Sequence, residues 1–161
     1  MRRVIVNSTP LIVLCNVGKL DILRQLYTEI SIPEAVFRAV TEKEDSACQL
    51  VKASLDWIHV EKIEDYAEKK MYRAKLHDGE VEVMILAQEK RNADLVIIDD
   101  NAAKKTAKYL GLSVTGTLGV LLKAKKKGII TEICPALDEM KRNGFYISES
   151  LEKLILEQAE E

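Results

Sequence analysis

Acidic and amide side chains follow the apolar segments of this sequence at separate points along the chain. Asn7 comes directly after the first apolar segment, and Asp99 and Asp100 come directly after a later one. Glu80 lies in the first turn of a predicted helix. Clustered carboxylates repel one another unless a cation lies between them, and oxygen ligands favour Mg²⁺ or Mn²⁺. These four residues are therefore our candidate metal-ligating and catalytic residues.

Hydrolysis of a phosphodiester is the chemistry that such a cluster suits. Bound Mg²⁺ or Mn²⁺ prepares a hydroxide and stabilises the charge that develops on the phosphate. Each residue also suits a plainer role, because Asp99 and Asp100 could cap a helix and Glu80 could be a first-turn acid favoured by the helix dipole. The combination, and not any one residue, favours metal binding.

The histidines and cysteines do not offer a second kind of metal site. The chain has two histidines and three cysteines, Cys15, Cys48 and Cys134, and no two of the cysteines form a CxxC pair. No zinc site of standard spacing can be built from them. An odd number of unpaired cysteines is typical of a reducing compartment, so we expect a cytoplasmic protein in which they are packing residues.

The basic residues are concentrated in one part of a chain whose formal net charge is −2. Residues 101–130 carry seven lysines and no acid. A basic stretch beside an acidic edge suits a polyanion, and we expect RNA as the partner. Lys125, Lys126 and Lys127 also suit the last turn of a helix, where cations are favoured without any ligand. The candidate RNA-contacting residues are Lys104, Lys105, Lys108, Thr115 and Thr117.

A second basic cluster offers an alternative path for RNA. It lies in the charged segment 61–75, which we interpret as an exposed helix or a loop. Its members are Lys69, Lys70, Arg73 and Lys75.

Alternating strands and helices must position these side chains. Helices are predicted between apolar strands, which we place at residues 4–6, 30–32, 57–60, 95–98 and 112–114. This alternation is typical of an α/β fold with an open parallel sheet. Ligands of such sheets bind beyond the carboxyl ends of the strands, where Asn7, Asp99 and Asp100 lie.

Local signals also predict where several helices begin and end. A helix is predicted to begin at Pro33, and residues 41–55 are predicted to be helical. Thr117 is predicted to cap the helix that follows the last strand, and Gly111 and Gly128 are predicted to end helices.

The chain length and the apolar runs limit the organisation of the protein. The 161 residues fit one domain, and we see no linker or internal repeat. No apolar run reaches the roughly 20 residues that a membrane span needs, so we expect no membrane partner.

Five stretches of the sequence, taken together, resemble a known family. They are residues 4–12, 32–36, 76–80, 97–100 and 111–119, in this order over most of the chain. The sequence resembles the PIN-domain proteins of the VapC-like ribonuclease superfamily. The resemblance implies a three-layer, Rossmann-like open sheet over a single domain of residues 1–161. It also implies a metal-dependent endoribonuclease that uses Mg²⁺ or Mn²⁺, often a toxin bound by a small antitoxin and often a homodimer.

The acidic site departs from the family pattern at two positions. The resemblance places Glu80 and Asp99 on family acids, but Asn7 stands where the first-strand acid is expected and Ala39 stands where a glutamate is expected. An amide brings an oxygen ligand without charge, and alanine brings no ligand.

The two departures raise the questions of which residue could replace the missing acid and which function other than a nuclease the chain could have. Glu42 and Glu34 lie near the position of the missing acid, although neither is in register with it. Fewer charges weaken metal binding, so the alternative to a nuclease is a catalytically weak or inactive RNA- or protein-binding module on the same fold. A phosphoacceptor receiver is disfavoured, because Thr115 stands where that design needs a lysine.

Overall fold

The computed structural model describes residues 2–64, 76–89 and 92–161. Within them the sheet has five strands, all parallel, in the order β3-β2-β1-β4-β5. The strands are β1 Val4–Val6, β2 Ile30–Pro33, β3 Ile58–Glu61, β4 Leu95–Ile97 and β5 Val114–Thr115.

Helices flank this sheet, and nine of them lie in the described part of the chain. They are α1 Ser8–Asn16, α2 Asp21–Tyr27, α3 Glu34–Thr41, α4 Ser46–Lys52, α5 Asp78–Gln88, α6 Asn101–Tyr109, α7 Thr117–Lys126, α8 Cys134–Arg142 and α9 Glu149–Gln158. A parallel sheet flanked by helices confirms the α/β fold that the sequence predicts.

The strand order brings the ends of β1 and β4 together in the middle of the sheet. The chain adds β2 and β3 on one side of β1 and then returns to add β4 and β5 on the other. Val6 pairs with Ile97, and the Asn7 N–H donates to the Ile97 carbonyl at 2.9 Å. Such a reversal of strand order opens a crevice at the carboxyl ends of the two strands, where α/β proteins bind ligands.

The core is built around β1, β4 and α5. Both strands are fully buried, as expected for parallel strands covered on both faces. Helix α5 is buried nearly all round, and its buried residues include two acids, Glu80 and Glu82. Glu82 accepts a hydrogen bond from the Ala35 N–H at 3.1 Å and so satisfies one of the free donors in the first turn of α3. A buried acid of α5 therefore fixes the start of α3.

Some boundaries differ from the sequence-based expectations. Pro33 ends β2 and does not begin a helix, because its ψ of 162° is extended. The helix expected over residues 41–55 is the shorter α4. Gly111 and Gly128 follow α6 and α7 with φ of +80° and +77°, so both glycines end helices as predicted.

The structure describes only part of the charged segment at residues 61–75. The part of that segment over residues 65–75, with Lys69, Lys70, Arg73 and Lys75, lies outside the described residues. Among the helices that are described, none is both long and apolar enough to cross a membrane.

Candidate active site

A cavity of about 830 Å³ opens beyond the carboxyl end of β1. Three helices begin at this cavity, α1, α5 and α6, and helix N-termini favour anions. The cavity brings together three of the predicted site residues, Asn7, Glu80 and Asp100. It therefore combines oxygen ligands for a cation with a setting that suits a phosphate.

Asn7 contributes a buried oxygen that has no hydrogen-bond partner within the described residues. Its side chain is 5% exposed and stands at the N-cap position of α1 without capping the helix. A Cβ on Gly79 would lie 3.5 Å from the Asn7 Oδ1 atom, so the first turn of α5 packs against this oxygen. Burial of an oxygen removes its hydrogen bonds to water. If no donor replaces them, the burial costs free energy, and a bound ligand can offset that cost.

Glu80 contributes a second oxygen of this kind. The residue is 5% exposed, and within the described residues its Oε2 atom has no hydrogen-bond partner. Burial raises the pKa of the Glu80 carboxyl group above 4.5, and the negative charge and side-chain hydrogen bond of Asp100 raise it further, against an opposing effect of His77. The nearby Asp100 carboxylate disfavours the charged form of Glu80, and a cation bound beside both groups would offset that repulsion.

Asp100 and Asp99, adjacent in sequence, have different surroundings. Asp100 accepts a hydrogen bond from the Ala103 N–H at 2.9 Å, so it caps α6 and also lines the cavity beside Glu80. Asp99 turns toward α7, where it accepts from the N–H of Thr117 at 2.8 Å and from its hydroxyl at 2.6 Å. Asp99 lies outside the cavity lining formed by the described residues, and its role as a metal ligand stays a prediction.

Gly116 makes room for this arrangement. A Cβ on Gly116 would lie 2.7 Å from Asp99 Oδ1 and 3.0 Å from Lys104 Nζ. Real Cβ contacts are essentially never as short as the first of these distances. Any larger residue here would displace the Asp99 carboxylate.

Thr117 requires a correction, since the sequence marked it as a cap and as an RNA contact. Its side chain is fully buried and its hydroxyl donates to Asp99, so it cannot touch RNA directly. The N-cap of α7 is Gly116, and Thr117 is the first residue of the helix. Thr115 is half-buried, and its Oγ1 atom lies 2.0 Å from where a Cβ on Gly119 would be.

The lysines of the basic stretch divide into exposed and internally paired groups. Lys105 and Lys108 are exposed on α6, and Lys104 is half-buried beside Asp99. Lys125 bonds the carbonyl of Ala159 and, at 3.0 Å, the carboxylate of Glu161. Lys125 is thus paired within the protein, whereas Lys126 and Lys127 are exposed, and the RNA contacts predicted for α6 stay a prediction.

Ala39 and Glu42 both line the cavity. The position at which the family resemblance implies a glutamate therefore faces the site, and the carboxylate one turn further along α3 faces it as well. Glu34, the other nearby acid, is not among the described residues that line it.

Sequence reasoning did not identify Arg38 or Glu82 as parts of this region. The Arg38 Nη2 atom lies 3.8 Å from Asp78 Oδ2 and 3.7 Å from Glu82 Oε2. Glu82 could have been found from its pattern, because it is one acid in an otherwise apolar stretch of α5. Arg38 carries no such signal, since a lone arginine on a helix usually faces solvent.

These residues fit a hard cation only in part. Asn7, Glu80 and Asp100 supply the oxygen ligands that Mg²⁺ and Mn²⁺ prefer, and two of their oxygens are buried with no hydrogen-bond partner among the residues that the structure describes. Across the described ranges, however, no three His, Cys, Asp or Glu side chains are grouped so that they could hold a metal ion. The residues present therefore suit a cation that is held weakly and keeps several waters, as Mg²⁺ does.

Comparison with known proteins adds one finding. A family model described as a PIN domain matches residues 3–161, which is nearly the whole chain. None of the curated proteins compared with the chain matches it.

Proposed function

Because the chain belongs to the PIN-domain family, we propose that it is a metal-dependent endoribonuclease with a degenerate acidic site. PIN domains are in general nucleases and typically use Mg²⁺ or Mn²⁺. The proposal takes residues 1–161 as one PIN-like domain and RNA as the substrate.

The observation that carries the proposal is a pair of buried oxygens, Asn7 Oδ1 and Glu80 Oε2, for which the described part of the chain provides no hydrogen-bond partner. Both belong to residues that line one cavity, and both are 5% exposed. An isolated buried acceptor costs about 1–3 kcal/mol, so two in one place indicate a ligand that supplies positive charge or donors. A hydrated divalent cation has both.

Asn7, Glu80 and Asp100 would hold this cation, with Glu42 near enough to the cavity to contribute and Asp99 a further predicted ligand. When bound, the cation supplies a Lewis acid that activates water and stabilises the negative charge of the phosphate. As carboxylates, Glu80 and Asp100 would also be able to accept a proton from the attacking water.

The helix N-termini and α6 would hold the RNA backbone. Residues at the starts of α1 and α5 line the cavity, and Lys104, Lys105 and Lys108 lie on α6, which also begins there. Under this proposal the protein is cytoplasmic and forms a homodimer, with a small antitoxin as its partner.

A cleavage assay with two matched variants tests the activity. We expect the wild-type protein to cleave a long RNA in the presence of Mn²⁺. The cleavage should stop when EDTA is added, because EDTA chelates the metal ion. Glu80→Gln removes a cavity ligand and should lower the rate by about a hundredfold or more. Glu34→Gln makes the same change outside the cavity lining and should leave the rate unchanged. Cleavage that survives both EDTA and Glu80→Gln would contradict the proposal.

The second candidate function is an RNA- or protein-binding module without catalysis. It is favoured by one observation, the side chains of Asn7 and Ala39 in the cavity where the family resemblance implies two acids. Tight RNA binding with no cleavage at millimolar Mn²⁺ would support it over the nuclease.

A further inference from the structure

Arg38 lies in the candidate active site on α3, directly before Ala39. In the lining formed by the described residues it is the single lysine or arginine. Four acids share that lining, namely Glu42, Asp78, Glu80 and Asp100. The cavity therefore has an acidic wall with one permanent positive charge, and the position of that charge requires an explanation.

Packing between α3 and α5 explains only part of it. The Arg38 guanidinium approaches Asp78 at 3.8 Å and Glu82 at 3.7 Å, and both distances are too long for a hydrogen bond. Glu82 bonds the Ala35 N–H through its other oxygen, so the start of α3 is fixed without Arg38. The Arg38 side chain remains 62% exposed. Its planar set of N–H donors is thus oriented by two carboxylates but satisfied by neither.

The negative charge of the cavity lining gives a reason for a positively charged side chain at this position. The four acids of the cavity repel a polyanion unless positive charge offsets their negative charge. The weak metal site provides such positive charge only while a metal cation is bound. Arginine suits the task, because its guanidinium can donate two parallel hydrogen bonds to a phosphate. The nearby N-termini of α1 and α5 favour an anion in the same space.

We propose that Arg38 binds a backbone phosphate of the RNA inside the cavity and positions the chain for cleavage. The inference rests on the proposed function, since it names a substrate contact for that same site. It places one phosphate contact on α3, in addition to the contacts predicted for the lysines of α6.

Binding of a single-stranded RNA in EDTA, measured by fluorescence anisotropy at several salt concentrations, tests the contact without cleavage. Arg38→Gln should weaken binding about tenfold and reduce the slope of log K against log salt by about 0.7. Arg38→Lys should restore the slope and only part of the affinity. Arg24→Gln is the matched control, because Arg24 makes one comparable ion pair at 3.7 Å and is 54% exposed.

Two further measurements separate a phosphate contact from a structural role. Urea unfolding of each variant reports whether the fold is intact, and calorimetry with Mn²⁺ reports whether the cation still binds. We expect Mn²⁺ affinity in Arg38→Gln to equal or exceed that of wild type, because a positive charge has been removed. If Arg38→Gln binds RNA with the affinity and salt slope of Arg24→Gln, the contact is absent and the inference is overturned. An unchanged slope accompanied by lower stability overturns it as well.

The inference and the proposed function fail in different ways. Wild type that cleaves RNA while Arg38→Gln binds normally overturns the inference alone. Wild type that never cleaves while Arg38→Gln weakens binding overturns the nuclease and supports the phosphate contact. Wild type that does not bind RNA overturns both.

Discussion

Thr117 donates both its backbone N–H and its hydroxyl to the carboxylate of Asp99, at 2.8 and 2.6 Å. This pair joins the end of β4 to the start of α7 and fixes the direction of the Asp99 side chain. The first residue of α7 therefore holds the Asp99 carboxylate, which does not turn freely into solvent.

Thr117→Val should destabilise the protein by about 2 kcal/mol, because the hydroxyl is buried and its acceptor is charged. Thr106→Val is the matched control, since the Thr106 hydroxyl bonds only a helix carbonyl near the surface. Its effect should stay below about 0.5 kcal/mol. Urea unfolding measures both changes, and equal losses in the two variants would show that the Asp99 contact contributes nothing.

The features of the fold that could be predicted depend mostly on residues close to one another in the sequence. The apolar runs at residues 4–6 and 95–98 identify buried parallel strands, and Gly111 and Gly128 mark helix ends by local backbone chemistry alone. One of the boundary errors is explained by a tertiary contact. Thr117 looks like a helix cap in sequence, but Asp99, 18 residues earlier, takes its hydroxyl.

The candidate site was predictable only where strand ends identify it. Asn7, Glu80 and Asp100 meet because α/β topology brings such positions to one edge of the sheet. The different surroundings of Asp99 and Asp100 could not be predicted, because they depend on which way a two-residue turn points. Arg38 was missed for a similar reason, since its contacts with Asp78 and Glu82 join α3 to a helix some 40 residues away.

The pKa of Glu80 predicts an unusual dependence of stability on pH. Burial and Asp100 raise this pKa in the folded protein, so the folded state binds the proton more tightly than the unfolded state does. The stability that this proton provides is complete below pH 4.5 and is lost as the pH rises through the raised pKa. Glu80→Gln cannot ionise, so relative to wild type it should become more stable as the pH rises from 4.5 to 7.5.

Urea unfolding of wild type and Glu80→Gln across that pH range measures the difference. Glu139→Gln is the control, because the hydrogen bond from Arg142 lowers the pKa of Glu139 below 4.5, so this group titrates below the range and its difference from wild type should stay nearly constant. Added Mn²⁺ should cancel the pH effect in wild type if the cation replaces the proton. A difference between wild type and Glu80→Gln that does not change with pH would contradict the environment described for Glu80.

RNA binding should depend on the lysines of α6 more than on those at the end of α7. Replacing Lys104 and Lys105 with glutamine should weaken binding to all sequences and reduce the salt slope by about 1.4, as expected for two phosphate contacts on a single strand. The control replaces Lys126 and Lys127, which carry the same total charge and are both exposed. A larger loss from the control pair would move the RNA path away from α6.

The missing carboxylates should be restorable, because both positions face the cavity. Asn7 and Ala39 line it together with Glu80 and Asp100, so Asn7→Asp and Ala39→Glu would add two charges to one site. Added negative charge should raise Mn²⁺ affinity by about tenfold in the double variant, with a smaller gain from Asn7→Asp alone. Calorimetry measures the affinity, and Asn16→Asp with Ala102→Glu provides a control with the same charge change outside the cavity.

Stability gives an independent measure of the same double variant. Asn7 is 5% exposed, so a carboxylate placed there without a cation is buried beside other acids and should lower the melting temperature. Saturating Mn²⁺ should raise that temperature more in the double variant than in wild type, because the cation binds only the folded site. Cleavage rates compared at several Mn²⁺ concentrations then separate tighter binding from faster chemistry. An inactive wild type and an active double variant would favour the binding-module function for the natural sequence. A double variant with no gain in Mn²⁺ affinity would show that residues 7 and 39 do not converge on the cation with Glu80, and the proposed metal site would be wrong.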